Sequence, residues 1–502
     1  MLRPFKIPTM ALFVTVALLA VGEVATGTQP AFAAWVAGTL VCIGVTYNLL
    51  GGLSTISGIA FSGFAACTIV ISQFAKVILA EPANIPLESP YLTIQVYFVF
   101  YLCVLIGTFV YRSLRVRLPQ PLEPATLAQA DVQYTISLVV GLVAEFLYES
   151  TEASTNAGER ASTAHSIGLA FAPLLLFSIV LAVQNRIRSS GARHSFNVKA
   201  FIPWFATVIF GFLQTSRGHI LLPSIVYGFT CYTSGYRFHR KHYAVALAGA
   251  VFFLLVVSPY EIFVRGAMKE LDFSGRVSHS VDFLRSMPDW SVVQEASSGG
   301  VDSDSREEYY MRPGTFVLSR LSAIRADSNM INACSQGFHY GFTALSIDIR
   351  HNLPRFLAKD KPEFDGAAYT GRITGVNPDE IPNGEFLITA VGDSFGAFGW
   401  LGVMVVALIG FPTVFIIYES MFDMRKPWGI VAAGSFCFQF SQIGMSGILM
   451  LAVRSTTSIL LLSYLMGALV RMIPVRGDQG APTLKEEEPW DLDVDGAGQL
   501  DA

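Results

Sequence analysis

The densest polar cluster in an otherwise apolar chain is Arg350-His351-Asn352-Leu353-Pro354-Arg355-Phe356-Leu357-Ala358-Lys359-Asp360-Lys361-Pro362. An arginine is permanently charged and offers a planar fork of donors to phosphate oxygens. Several such groups around one point can hold a pyrophosphate without a divalent metal. Arg355, between Pro354 and Phe356, leads here, with Arg350 in support. The competing reading pairs these cations with Asp348, Asp360 or Glu363, so that they only fold the segment. Lys361, ahead of Pro362, has a better claim to a ligand than Lys359, which reads as a solvated face. A histidine titrates near neutrality, so His351 suits a general base, and a local cap or turn bond suits it equally.

Three further places could contribute. Arg217 sits in Gln214-Thr215-Ser216-Arg217-Gly218-His219, a very short turn between two apolar runs. It either snorkels to lipid headgroups or faces a functional site. Asp393 precedes the apolar run from 397 and is followed by Gly396, Gly399 and Gly402. A carboxylate at that depth is costly unless paired or wet. It could take a proton from a sugar hydroxyl or bond an arginine structurally, and both readings stand. The glycines at 392, 396, 399 and 402 most simply allow close helix packing. Arg454 lies between the last two apolar runs.

The elements that must position these residues follow from hydropathy. The chain is 52% hydrophobic and 14% charged, whereas soluble domains carry about 25% charged residues. A spanning helix needs roughly 20 apolar residues. Twelve such segments lie near 8–27, 31–51, 57–80, 91–111, 132–150, 164–184, 200–216, 218–236, 243–262, 397–418, 428–449 and 455–473. The fold class expected is therefore all-α: a polytopic membrane protein with about twelve transmembrane helices and one long, partly helical extracytoplasmic loop. Arg3, Lys6 and Ala31-Phe32-Ala33 imitate a cleavable signal peptide, but Ala34 opens directly into another apolar run, which favours an uncleaved helix.

Positive residues collect on the cytoplasmic side. Arg3 and Lys6 precede the first segment. Arg112, Arg115 and Arg117 end the fourth; Arg186, Arg188, Arg193 and Lys199 end the sixth; Arg237, Arg240 and Lys241 end the eighth. Arg425 and Lys426 follow the tenth, and Arg471 and Arg476 end the twelfth. Both termini are thus expected in the cytoplasm. The divisions expected are a membrane domain over 1–262, an extracytoplasmic loop with helices over 263–383, the last three helices over 384–473 and an acidic cytoplasmic tail over 474–502. On this path the turn at Arg217, the loop and Arg454 share one face. Within the loop, Met330 to Ile349 is apolar enough to lie on the membrane or in a groove.

Six cysteines stand singly, with no CxxC pair, and five of them, in the apolar runs, read as small buried hydrophobes. The eight histidines are scattered, so no metal and no cofactor is expected. No nucleic-acid partner is expected. Paired helix interruptions with ion-binding carboxylates, the mark of a coupled transporter, are not evident.

Several short motifs occur in a telling order. They are Leu318-Ser319-Arg320-Leu321-Ser322, Asn352-Leu353-Pro354-Arg355-Phe356-Leu357, Asp360-Lys361-Pro362, and Gly392 to Gly402 with Phe398-Gly399-Trp400. Together with the Thr215-Ser216-Arg217-Gly218 turn, this order resembles the O-antigen polymerase-like family and the related O-antigen ligases. Ala358 stands where members of that family often carry an aromatic residue. The resemblance implies a metal-independent glycosyltransferase that joins undecaprenyl-pyrophosphate-linked oligosaccharides on the outer face of the bilayer. It also implies a chain-length regulator and a flippase as partners. It assigns Arg217 and Arg355 to pyrophosphate charge, His351 or Asp393 to the base, and Arg350, Lys361, Arg320 and Arg454 to substrate binding. The rivals are a ligase that transfers glycan to a lipid A core, and a glycan or ion transporter without chemistry.

Overall fold

A backbone that leaves water must satisfy its own hydrogen bonds, and a helix does so within one segment. Every regular element among the described residues is a helix. The computed structural model describes residues 6–114, 116, 118–124, 126–152, 163–214, 216–253, 257, 260, 273–286, 322–337, 339–342, 346, 349, 388–440 and 444–472.

The first half contains α1 (Thr9–Ala25), α2 (Pro30–Leu50), α3 (Ile56–Ala65), α4 (Ile71–Ile78), α5 (Pro90–Ser113), α6 (Leu127–Glu152), α7 (Thr163–Phe171), α8 (Pro173–Ser189), α9 (Val198–Leu213), α10 (Arg217–Thr233) and α11 (Arg240–Phe252). A π-helical turn, Ala66–Val70, joins α3 to α4. Two helices belong to the long polar interval, α12 (Phe273–Ser286) and α13 (Ile324–Ser335). The remainder are α14 (Ala390–Val405), α15 (Phe411–Met421), α16 (Pro427–Phe440), α17 (Met445–Leu449) and α18 (Thr456–Met472).

The local chemistry explains many of the ends. Pro30 and Pro90 open α2 and α5, where a missing N–H costs nothing. Gly51, at φ 95°, ends α2 in the left-handed conformation that glycine adopts freely. The Asn197 side chain accepts from the Ala200 N–H and starts α9.

Every one of the twelve apolar segments contains a helix, but the expected count of spans needs correction. Among the described residues, seven helices are long and apolar enough to cross a membrane: Pro30–Ser54, Ile56–Ile78, Pro90–Ser113, Ala128–Ser150, Ile167–Ser189, Ala390–Met421 and Met450–Met472. The other five are shorter, at 17 residues for α1, 16 for α9, 17 for α10, 13 for α11 and 14 for α16. Hydropathy averages through the caps and turns that end them. The chain is an all-helical, multi-pass membrane protein.

With lipid as solvent, helices gain little by hiding apolar surface from one another, so association rests on close packing. An aromatic cluster supplies it. The Phe411 ring meets Phe64 at 5.0 Å, Phe100 at 5.1 Å and Phe440 at 4.8 Å, which joins α3, α5, α15 and α16. Phe177 of α8 stacks on Trp428 of α16 at 3.9 Å. Large apolar side chains such as Phe13, Leu18, Ile106, Phe109, Val110 and Leu461 remain exposed on the outside, the surface a bilayer would cover. α1 is part of the bundle. Asn48 of α2 binds both the N–H and the carbonyl of Ile7 at 2.8 Å, and Gly44 lets Leu12 approach.

The polar interval does not sit on top of this bundle; α13 descends into it. The Ala323 N–H donates to the Cys67 carbonyl at 3.1 Å. Cys67 is in the middle of the Ile56–Ile78 span, roughly 17 Å from its start at 1.5 Å per residue. From there α13 climbs along α5. Asp327 bonds Tyr97, Ser328 bonds Thr93, and Asn332 bonds Ser89 just before α5 begins. Ile324, Met330, Ile331 and Cys334 are buried on the inner face. Of the apolar run from Met330, its helical start packs against the bundle through Met330, Ile331 and Cys334, while Phe342 and Ile349 are exposed. On the topology expected from the charge pattern, this end faces away from the cytoplasm. Thiol labelling from outside intact cells is expected to reach Gln336→Cys, and His194→Cys only after permeabilisation. The opposite pattern would invert the topology.

Candidate functional site

The site begins with one buried carboxylate. Asp327 lies one turn after Ile324 and one turn before Ile331, on the apolar face of α13, and it is fully buried. Its Oδ1 accepts the Thr389 backbone N–H at 2.8 Å. Its Oδ2 accepts the hydroxyls of Thr389 and Tyr97, both at 2.5 Å. Tyr97 is on α5 and Thr389 caps α14, so Asp327 joins three distant pieces of chain. A second polar contact lies one turn deeper on α5, where the Tyr101 hydroxyl is 2.5 Å from that of Thr68.

Asp393 follows Thr389 by one helical turn, its N–H donating to the Thr389 carbonyl at 2.9 Å. The expected start of the tenth segment at 397 is therefore late, because the helix begins at Ala390 and Asp393 lies inside its first turn. Asp393 Oδ1 accepts from the Tyr340 hydroxyl, and Oδ2 accepts the Met445 N–H at 2.6 Å. The Tyr340 and Gly341 N–H groups then pair with the carbonyls of Gly396 and Ala397 at 3.3 and 3.0 Å.

Right after this pairing α14 breaks. Phe398 (φ −141°, ψ 21°) and Gly399 (φ 58°, ψ −141°) leave the helical region. The chain turns sharply enough there that a Cβ on Gly402 would sit 2.1 Å from the Ser394 carbonyl oxygen. α16 and α17 are likewise separate helices that meet the site at Gly444 and Met445, and a Cβ on Gly444 would sit 2.6 Å from Asp393 Oδ2. α14 is thus broken five residues beyond a buried aspartate, and α17 starts at its carboxylate. Hydropathy cannot see a break made of Phe and Gly. The close packing expected of the glycines holds at 392, 396 and 402, while Gly399 supplies the positive φ.

A second polar group surrounds the turn that carries Arg217. Ser216 caps α10, its hydroxyl accepting the His219 N–H at 3.4 Å and lying 3.0 Å from His219 Nδ1. Beside it Gln214 donates to Glu145 of α6 at 3.1 Å. α12 docks here: Arg276 forms a buried ion pair with Glu149 at 3.5 Å. The Tyr260 hydroxyl donates to the Phe212 carbonyl at 3.0 Å and lies 2.8 Å from that of Ser280. Both described helices of the polar interval therefore pack on the bundle, one at the Arg217 turn and one at the aspartates.

Of the residues singled out by sequence, Asp393 is at the centre of this arrangement. Arg217 is the first residue of α10, and its side chain lies outside the described residues. Arg320, Arg350, His351, Arg355 and Lys361 also lie outside them. Arg454 is exposed on a π-helical turn, Met450–Ser455. The structure does not bring it to Asp393. It is nine residues beyond Met445, roughly 13 Å along a helix. The neighbouring Leu451 carbonyl accepts from Tyr418, in the last turn of α15, at 3.4 Å. Chain order had placed Arg454 in a turn between two spans, but the helix runs unbroken from Met445 to Met472 with Arg454 inside it. The sequence reading missed Asp327, Tyr97, Thr389 and Tyr340. For Asp327 a signal existed, a carboxylate on the apolar stripe of a helix. Among the described residues no group of His, Cys, Asp and Glu could hold a metal ion.

Two outcomes follow from this geometry. A Cβ on Gly392 would lie 2.5 Å from Asp327 Oδ1 and 2.9 Å from its Cα. Gly392→Ala is expected to lower stability by about 1–3 kcal/mol through overpacking. Gly249→Ala, with nothing within 4 Å, is expected to be neutral or mildly stabilising. Thermal midpoints in detergent check both. The second outcome concerns pH. Burial raises the Asp327 carboxyl to about 6, against the pull of its three donors. An unfolded aspartate titrates near about 3.9. The folded protein holds the proton more tightly, so this stabilisation is complete below about 4 and lost as pH rises through about 6. The midpoint of the native protein, relative to Asp327→Asn, is expected to fall across that window. A flat difference would remove Asp327 as the cause.

The chain matches no protein-family model, no curated protein and no solved structure.

Proposed function

We propose that this chain is a membrane glycosyltransferase that polymerises lipid-pyrophosphate-linked oligosaccharide repeats on the outer face of the bilayer. The observation that carries the proposal is the docking of the polar interval into the outer half of the bundle. Its two described helices pack beside the Arg217 turn and at Asp327 and Asp393; on the proposed chain path these two places share one face. The full reading has twelve crossings, with the five shorter helices accommodated by local thinning of the bilayer and by snorkelling flanking residues. The cations of 350–361 then lie on that same face.

In this mechanism Arg217 and Arg355, with Arg350 beside them, hold the diphosphate of the donor. Lys361 and Arg320 support the substrate. A sugar hydroxyl of the acceptor attacks the anomeric carbon of the donor glycan. The bond between that carbon and the phosphate oxygen breaks, and the lipid pyrophosphate leaves with the electron pair. The acceptor proton passes to His351, or to Asp393 through the Tyr340 hydroxyl that already bonds it. Guanidinium charge aimed at the departing diphosphate lowers the barrier most, since negative charge builds there in the transition state.

A second reading is a transporter, favoured by the break at Phe398–Gly399 beside a buried aspartate. The two separate in one assay. Purified protein supplied with synthetic undecaprenyl-pyrophosphate-linked repeats is expected to yield lengthened glycan on the lipid carrier without any gradient. Arg355→Lys is expected to lower elongation by about 100-fold or more, because a lysine loses the bidentate contact, while the protein still reaches the membrane. No elongation by the native chain under any condition would sink the enzyme reading. Undiminished elongation by Arg355→Lys would remove Arg355 from the site. Product found only on a lipid A core acceptor would make the chain a ligase.

A further inference from the structure

A cavity of about 760 Å³ opens at the opposite end of the bundle, where α2, α5 and α15 finish. Its apolar wall includes Leu50, Leu114, Leu118 and Ile416, and its polar wall includes Arg112 and Glu419. This volume is within the range of small-molecule sites, about 300–1,000 Å³. The position is the level of the inner-leaflet headgroups, by the same positive residues that orient the chain.

The charges at the cavity are not equivalent. Glu419 Oε1 accepts the Ser57 N–H at 2.9 Å. Ser57 is in the first turn of α3, so this carboxylate is turned to the positive end of a helix. Arg112 is exposed at the last turn of α5 and forms no ion pair among the described residues. The chain adds Arg115 and Arg117 between the lining residues Leu114, Val116 and Leu118. An open cavity with a leucine-bearing wall and an exposed guanidinium at headgroup level is complementary to a phosphate head on an acyl tail.

We infer that the cavity bounded by Leu50, Arg112, Leu118 and Ile416 binds an anionic phospholipid of the inner leaflet, its phosphate on Arg112 and an acyl chain along the leucines. This site is independent of the outer one. Lipid occupancy would brace the ends of α2, α5 and α15 against one another.

The test uses the full chain reconstituted in an equimolar mixture of phosphatidylglycerol and phosphatidylethanolamine, extracted gently and weighed by native mass spectrometry. One phosphatidylglycerol per chain is expected to be retained, in preference to phosphatidylethanolamine. Arg112→Gln, a change at an exposed side chain, is expected to reduce retention about tenfold, the value of one charge-assisted hydrogen bond. Leu118→Trp, which fills the chamber, is expected to abolish it, and Leu247→Trp on the exposed face of α11 to leave it unchanged. Equal retention of the two lipids, or retention unaffected by Arg112→Gln and Leu118→Trp, would overturn the site. Displacement by undecaprenyl phosphate at equal concentration would overturn the phospholipid assignment.

Discussion

A carboxylate inside a helical bundle must be given donors, because nothing else there replaces water. Asp327 meets this demand with three donors, and each comes from outside its own segment. The Tyr97 hydroxyl fixes the height of α13 on α5. The Thr389 N–H and hydroxyl fix where α14 begins. One buried carboxyl thus decides how deep the polar interval enters the bundle. It also sets the register of the helix that follows. The packing is built around it, since Gly392 leaves the space that the carboxylate occupies.

Asp393 extends the same logic by one turn. Its two oxygens accept from Tyr340 and from the Met445 N–H. Linked through Thr389, the two aspartates join α5, α13, the 339–342 strip, α14 and α17. With so many partners fixed, α14 cannot run straight through. It yields at Phe398–Gly399, where a glycine takes the required conformation, and the rest of the span departs at a new angle. The π-helical turn Val406–Gly410, immediately beyond, lets the helix settle against α5, with Gly107 accepting the approach of Leu408 and Pro412.

Much of this was legible in the chain and some was not, for physical reasons. The apolar runs were legible because lipid demands continuous hydrophobic length, and each of the twelve does hold a helix. Their ends were less so. The tenth segment, for one, was started at 397, whereas the Thr389 cap opens its helix at Ala390. The apolar start of α13's inner face, at Met330 and Ile331, was visible in composition. Its depth was not, since that depends on Asp327 finding Tyr97, 230 residues away. Asp393 was noticed for its cost, but its partners Tyr340 and Met445 are non-adjacent in sequence and leave no local trace. Arg454 was placed in a turn because hydropathy started the last segment at 455, whereas the helix already begins at Met445 and carries Arg454 within it.

A broken helix beside buried aspartates is common ground for transporters and for enzymes that act on membrane-borne substrates. What distinguishes them physically is the state of the carboxylate oxygens. A coupled transporter keeps such oxygens open so that a cation can enter and leave. Here each oxygen of Asp327 and Asp393 already accepts an O–H or N–H. A cation arriving there would meet the positive ends of those dipoles and would have to displace several hydrogen bonds at once. The aspartates therefore behave as a fixed frame, and motion at this point would dismantle the packing of five segments. A fixed frame suits a reaction in which charge develops elsewhere and must be met by groups held in place. That division of labour, acids building the floor and arginines meeting the phosphate, is the physical content of the glycosyl-transfer reading.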